Sequence, residues 1–547
     1  TMDLPFIGNN RTQTANNNAN VFGYIFGTSN YTGATAAAQA GTSSATYYIP
    51  STLRTVNIRG GNVLKGSFQN CKMLTSITLP EALATQTVFG EYSFQNCTGL
   101  TSLVIPSNAT TINNYAFHGC TNLTGISIPA TVTAIGVNAF QNCTNLASDE
   151  FAAESELSTI GNYAFTSCPK LPDVSIPATV TSIGVNAFQS CAALVSVSFG
   201  EGSKLTALGN LAFNACTKLE SVDFGVSETS FTIGSQAFDG CTVLARTDEN
   251  GFTIPARVTS IGTYGFRNTG IVNLSIEKNS KLTTIADYAF YGLTKLNELD
   301  FGSYDEDATV PDLTLGTQSF LGCNSAGFTT LNLPARVKTI GVNAFQNCTG
   351  LVNIDIADGS RLTSLGNYAF GGCASLENVD FGESTTALVL GTHLFQNCAA
   401  ITEITVPDNV TTIGAFAFTG CSGLTAMTLP FIGNAKTAAT NHNNYVFGYI
   451  FGTTNYTGST AASQYGTSAV TYYIPTSLTN VTVTGGNILS GAFDNCKTLT
   501  SITLPSATAS VTSIGNYAFR NCTALQSLKI AGSASTTPYA LPENIRL

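Results

Sequence analysis

A phenylalanine followed three residues later by cysteine recurs along almost the whole chain, and it constrains the fold more than any other feature. The phenylalanines fall at positions 68, 94, 117, 140, 165, 188, 213, 238, 266, 290, 320, 345, 370, 395, 418, 493 and 519. Cysteine follows at fifteen of these seventeen; Thr269 and Leu293 stand in its place at the other two. Most intervals are 23 to 26 residues. Self-similarity on that scale marks a repeat architecture, in which a unit buries its apolar face only against its neighbours. No cysteine lies outside this slot. A disulfide framework would put cysteines in varied contexts, and an odd total leaves one over. Zinc sites need close pairs such as Cys-x-x-Cys, and none occurs. One small apolar residue in one recurring slot reads as a buried ladder of thiols. Pairing between stacked repeats stays open, since adjacent strands lie about 4.8 Å apart.

A clean unit runs from Thr131 to Leu146 and continues with the Val174-Ser175-Ile176-Pro177 type of segment that follows each leucine. The Ile-x-Ile alternation has period two and predicts a strand with one buried face. The proline after it cannot donate to a ladder and ends the strand. Val-Thr-x-Ile predicts a second short extended segment, and the glycine after it permits a turn. Asn-x-Ala-Phe-x-x-Cys is too short for an independent helix and is read as one or two helical turns with Asn or Asp near the cap. The expected class is an α/β repeat: a curved solenoid with a long parallel sheet of first strands on one face and short helical turns elsewhere. Seventeen or more coils would give a rod of about 80–100 Å. One continuous solenoid over 1–547 is expected, without globular domain boundaries.

Charged residues are only 10% of the chain, against a usual ~25%, while hydrophobic residues are 43%. That excludes an acidic disordered chain. The 22 Lys and Arg are spread out, which excludes a nucleic-acid footprint. With three isolated His, and no GxSxG, HExxH or phosphate-loop motif, nothing points to an enzyme. No run of 18 apolar residues offers a membrane span, and no signal-peptide pattern occurs.

The string Ile-Gly-x-x-Ala-Phe-x-x-Cys-x-x-Leu-x-x-Ile-x-Ile-Pro resembles the BspA-type, or Treponema pallidum-type, leucine-rich repeat. The resemblance covers nearly everything outside two insertions. It implies a leucine-rich-repeat solenoid, an extracellular or cell-surface location, and adhesion to a protein or glycan of a host, a neighbouring cell or a matrix. It carries no catalytic residues and no cofactor.

Residues 1–80 and 426–505 match at an offset of 425; Val21-Phe22-Gly23-Tyr24-Ile25-Phe26-Gly27 recurs as Val446 to Gly452. Each block is read as a repeat carrying an insertion, 6–50 in the first and 431–475 in the second. Its Phe-Gly-Tyr-Ile-Phe segment should pack back on the solenoid, and its Asn-, Gly- and Thr-rich flanks should be exposed. They serve either as a projecting binding or self-association surface or as a tolerated loop. Thr1 to Pro5 aligns with the end of a repeat strand, and Leu541 to Ile545 resembles the start of another. The chain is therefore read as a window of a longer array.

The residue before the last apolar position of the first strand points away from the core. That column is rich in hydroxyls at its ends and acidic in the middle, with Asp223, Asp300, Asn332, Asp355 and Asp380. Glu220, Glu298, Glu377 and Glu403 flank the same stretch. This is the candidate binding face. Two readings stand: a strip for a basic partner or for Ca²⁺, whose ligands are oxygens, and a solvated face that keeps a long sheet soluble. Tyr304-Asp305-Glu306-Asp307 is read as a solvated turn. The functional expectation is a non-enzymatic adhesion or protein-interaction scaffold; the alternative is a structural element of an extracellular fibre or wall layer assembling end to end.

Overall fold

The computed structural model describes residues 1–84, 87–245, 251–305, 309–505 and 514–530. Glu306, Asp307 and the repeat-like segment Leu541 to Ile545 lie outside the described residues. The chain forms two compact units, one of Thr1–Arg246 with Arg257–Gly270, the other of Thr247–Ala256 with Ile271–Leu547. Each is a parallel β-solenoid of stacked coils with almost no helix.

One coil shows how the sequence builds the rest. In the strand Gly125–Ile128, Ile126 and Ile128 are buried and Ser127 is exposed. Pro129 ends it and accepts from Val132 N–H at 3.1 Å, a turn that leads into the second strand, Ala134–Ile135. Where strands pair between coils, each pairs in parallel with its equivalent in the next coil. In the first unit the second strands run as an unbroken ladder of eight from Val88–Phe89 to Val258–Ile261. In the second unit they run from Thr284–Ile285 to Val410–Ile413.

The long continuous ladder is thus made by the second strands. The first strands, expected to form it, instead make short sheets of two to five. Proline explains one break. In regular coils the residue before the strand donates to the coil behind, as Ala147 N–H does to Thr124 O and Val195 N–H to Pro172 O. Pro172 has no N–H to give, and the ladder stops between Ser148–Phe151 and Asp173–Ile176.

The expected helical turns around Ala-Phe-x-x-Cys are also absent. The segment is a run of β-turns whose N–H groups alternate in direction. Ala116, His118 and Cys120 donate within the coil to Asn113, Tyr115 and Phe117 carbonyls at 3.1–3.2 Å; Tyr115, Phe117 and Gly119 donate to Val137, Ala139 and Gln141 of the next coil at 2.7–2.9 Å. A helix would use every N–H internally; here half are spent between coils. Asn138 and Asn142 in the following coil have φ of 58° and 61°, a left-handed kink every fourth residue that breaks any helix. Among the described residues the four short 3₁₀ turns lie in the insertions.

The phenylalanines stack through each unit. Phe94, Phe117 and Phe140 lie 5.1 Å apart, centroid to centroid, with planes within 3°; Phe320 and Phe345 repeat that geometry in the second unit. Burial of one such ring is worth about 1.5–3 kcal/mol. The insertions join this stack instead of merely hanging from it. Phe22 packs 5.1 Å from Phe68, and Phe447 packs 5.1 Å from Phe493. Behind Phe22 the hairpin Ala34–Ala40 with Ser44–Pro50 delivers Gln39 into the core. Gln39 accepts from Gly23 N–H at 2.7 Å and donates to the Cys71 sulfur at 3.2 Å. A Cβ on Gly23 would meet the Tyr47 ring at 2.5–2.6 Å, so only glycine fits. Gly448, Gln464, Tyr472 and Cys496 repeat this arrangement.

All fifteen cysteines are buried. The slot selects a thiol because its S–H reaches the Phe carbonyl of the coil behind: Cys97 to Phe68 at 3.0 Å, Cys120 to Phe94 at 3.1 Å, Cys373 to Phe345 at 3.3 Å. Burial pushes the Cys120, Cys373 and Cys421 thiols up to about 12, partly offset by those backbone bonds. The unfolded chain, with thiols near ~8.5, ionises first as pH rises. The stability tied to these thiols is therefore full below that value and is lost as pH climbs toward 12, at about 1.4 kcal/mol per pH unit per thiol. Thermal unfolding followed by circular dichroism should show the melting temperature falling steeply above about pH 9. A disulfide-exchange reagent should label negligible thiol at about pH 8 until the chain is unfolded; fast labelling of the native protein would contradict the buried ladder.

Candidate functional site

The acidic column lies on the outward face of the first strands, and the register places its members one by one. In the second unit Thr330–Leu333, Asn353–Ile356 and Asn378–Asp380 form one sheet that sets Asn332, Asp355 and Asp380 side by side. All three are exposed. Beside them Asn378 donates to Asn353 at 2.9 Å. A second sheet, Phe252–Ile254 with Asn273–Ile276 and Glu298–Asp300, aligns Thr253, Ser275 and Asp300. In a third, Glu403–Thr405 leads a row of outward threonines, Thr405, Thr428, Thr482 and Thr503. Asp223 belongs to the first unit, in register with Ser175 and Ser198, and Glu220 is exposed just before its strand. The structure therefore brings Asn332, Asp355 and Asp380 together in one sheet and leaves Asp223 with Glu220 in a separate sheet.

Three of the four column aspartates have a local task. Asp223, Asp300 and Asp380 each accept from the N–H of the glycine two residues on, at 2.9, 2.8 and 2.9 Å. This turn ends the strand. Each is followed by Phe-Gly, and the Asp-Phe-Gly triplet recurs every third coil. The first-strand sheets close at these points within the second unit, and recesses open beside them. A recess of about 320 Å³ is lined by Asn378, Asp380, Glu403 and Thr405. One of about 270 Å³ is lined by Asp300, Asn332 and Asp355, and one of about 370 Å³ by Asn297, Glu298, Asp300 and Asn332. Every charged side chain lining these three is acidic. Glu377 sits exposed one residue before its strand and lines none of the three. Asn297 and Asn378 are lining residues that the column does not mark; the recurring Asp-Phe-Gly triplet is the sequence signal that could have found them.

Asp355 has no hydrogen-bond donor among the described residues. It stands next to Asp380 across about 4.8 Å of parallel sheet. Two carboxylates fall short of the six to eight oxygens Ca²⁺ takes. Among the described residues no group of three or more His, Cys, Asp or Glu converges to hold a metal. No described helix is long and apolar enough to cross a membrane.

Comparison with protein families matches residues 61–156, 147–248, 227–308, 313–444 and 467–541 to the BspA-type leucine-rich repeat region, in six copies. The chain belongs to the BspA-type leucine-rich repeat family. No curated protein matches it. Among solved structures it is similar to a leucine-rich repeat protein of Bacteroides ovatus, at 20% identity over 89% of each chain with a TM-score of 0.40. It is similar to a leucine-rich cell surface protein of Faecalibacterium prausnitzii, at 22% identity over 82% of this chain and 91% of that one, TM-score 0.35. A T. pallidum leucine-rich repeat protein is 31% identical over 31% of this chain and 78% of its own, TM-score 0.28.

The two neighbouring aspartates separate local from surface roles. Asp380→Ala removes the acceptor for Gly382 N–H and should cost about 0.5–1.5 kcal/mol, whereas Asp380→Asn, which keeps an acceptor oxygen, should cost less. Asp355→Ala removes only like-charge repulsion and should be neutral or stabilising. Urea unfolding of the three variants checks the order; an Asp355→Ala variant weaker than Asp380→Ala would reverse the assignment.

Proposed function

We propose that this BspA-type protein is a non-enzymatic, surface-displayed or secreted scaffold that binds another protein through the outward sheet face of its second unit. The partner segment is extended and basic. One observation carries this: the three recesses beside the short sheets hold Asp300, Asp355, Asp380, Glu298 and Glu403 and no lysine or arginine. Hydroxyls and amides between them, Thr330, Asn353, Asn378 and Thr405, supply donors and acceptors without adding charge. Such a face steers a basic segment by long-range attraction and seats its Lys or Arg side chains where the sheets part. The family resemblance and the cell-surface relative support display outside the cell.

Binding of the full chain to arrays of extended Lys/Arg-rich peptides, with charge-matched acidic peptides alongside, tests the reading. Basic peptides should be retained at low salt and released as ionic strength rises. The double variant Asp380→Asn/Glu403→Gln should weaken them about three- to thirtyfold, the effect of losing two exposed ion pairs. Equal retention of acidic peptides, or an unchanged affinity in the double variant, would overturn it.

A further inference from the structure

The thiol ladder of the second unit holds one pair that is tied differently from its neighbours. From Cys97 through Cys241, and from Cys373 through Cys421, each S–H is committed to the Phe carbonyl of the coil behind at 3.0–3.3 Å. Cys323 reaches Phe290 O, and Cys348 reaches Phe320 O, only at 3.5 Å each. The Cys348 S–H is also drawn to the Cys323 sulfur in a side-chain hydrogen bond. One proton is thus divided between a carbonyl and the neighbouring thiol.

The surrounding turns set these two sulfurs side by side. Phe320 N–H donates to Ala344 O at 2.8 Å and Gly322 N–H to Gln346 O at 2.9 Å. The Phe320 and Phe345 rings stack 5.1 Å apart with planes within 3°. Coils held this way keep the strand spacing of about 4.8 Å, inside the Cα separation of about 4.4–6.8 Å that a disulfide spans. Leu293 fills the slot behind Cys323, so Cys348 is its one thiol neighbour in the ladder. Cys373, on the far side of Cys348, keeps its S–H on Phe345 O at 3.3 Å. The two coils lead into Thr330–Leu333 and Asn353–Ile356, which pair in register.

We propose that Cys323 and Cys348 are a disulfide site: oxidised, they clamp two adjacent coils of the second unit while the other thiols stay reduced. The oxidant is a low-molecular-weight disulfide. One cysteine thiolate attacks it, forms a mixed disulfide and expels one small thiolate. The second cysteine thiolate attacks the cysteine sulfur of that mixed disulfide, forms the S–S bond and expels the other small thiolate. The two cysteines lose two electrons and two protons; the small disulfide takes them up and leaves as two thiols. Burial keeps the Cys348 thiol protonated in the folded chain, so exchange begins on an opened coil and the bond closes as the coils restack. A mixed disulfide at another slot meets a sulfur turned to the backbone and is too bulky to bury, and small thiol in the medium reverses it. The inference rests on the thiol ladder and is independent of the binding reading above.

In the test, the reduced full chain is held in reduced and oxidised glutathione at the midpoint of its urea transition. It is then returned to native buffer and quenched with an alkylating reagent in denaturant. Peptide mapping by mass spectrometry should find one bond, Cys323–Cys348, with all but two of the fifteen thiols alkylated. The oxidised chain should melt a few degrees above the reduced one, and dithiothreitol should abolish the difference. Cys348→Ala and Cys348→Ser should each leave every remaining thiol alkylated, whereas Cys120→Ser, in the first unit, should leave the bond in place. Full alkylation of the unsubstituted chain, bonds spread over other neighbouring pairs, or an oxidised chain that melts no higher would each overturn the proposal.

Discussion

Everything in this protein depends on how the backbone divides its N–H groups between the coil they belong to and the coil beside it. Around each phenylalanine the donors alternate, inward at 3.1–3.2 Å and onward at 2.7–2.9 Å through Tyr115 to Cys120. The onward bonds tie coil to coil, so cohesion is a sum of nearest-neighbour terms. The Phe carbonyl takes a further share, accepting the N–H of its own cysteine and the S–H of the next. A serine in that slot would bring a stronger donor but also a hydroxyl to desolvate. Cysteine has the volume of a small apolar residue with one weak donor, and that balance explains why the slot is filled almost uniformly.

The same arrangement decides where a binding face can appear. The second strands are short and run as a long ladder in each unit, ending in the second at Val410–Ile413 before the insertion. The first strands are freed to vary. Asp-Phe-Gly ends every third one, and the sheet parts there. A face built this way is neither a flat ribbon nor a deep pocket. It is a set of short panels of two to five strands, with acidic recesses at the panel edges of the second unit. The aspartates therefore do two things at once: one carboxylate oxygen ends a strand, and the other remains turned to solvent. Asp355, in the middle of its panel, has no such backbone duty, which makes it the clearest candidate for a purely external role.

The coil itself was legible in the residues. Period two gave the first strand, proline its end, and the recurrent Phe-x-x-Cys the buried stack, because these follow from local rules. Two things were not. The turns around Asn138 and Phe140 look helical in composition, yet their hydrogen bonds are decided by a neighbour 24 residues away, which no local propensity records. The breaks in the first-strand sheet depend on single events, such as the missing N–H of Pro172 or the turn at Asp380, set within a pattern that otherwise promises continuity. Buried arginine is a further case. Arg336 is 1% exposed and donates to Leu282 O at 2.8 Å beneath the Tyr304 ring, and burial holds its pKa below the ordinary arginine value. A lone charge in a repeat reads as surface because its partner, the Leu282 carbonyl, lies 54 residues away in the chain. The column of acidic residues was visible in the residues, but its division into panels was not.

The insertions show how far a stack of coils tolerates foreign sequence. A coil is replaced if three demands are met: a ring in the phenylalanine line, a donor for the next sulfur, and a backbone that approaches within touching distance. Phe22, Gln39 and Gly23 meet them in one copy, Phe447, Gln464 and Gly448 in the other, with donor–sulfur distances of 3.2 Å in both. The hairpin that supplies the glutamine runs antiparallel, unlike every neighbouring strand pair. Chain direction is therefore not what the stack reads. It reads a short set of contacts at fixed height, and a segment that presents them takes the place of a coil.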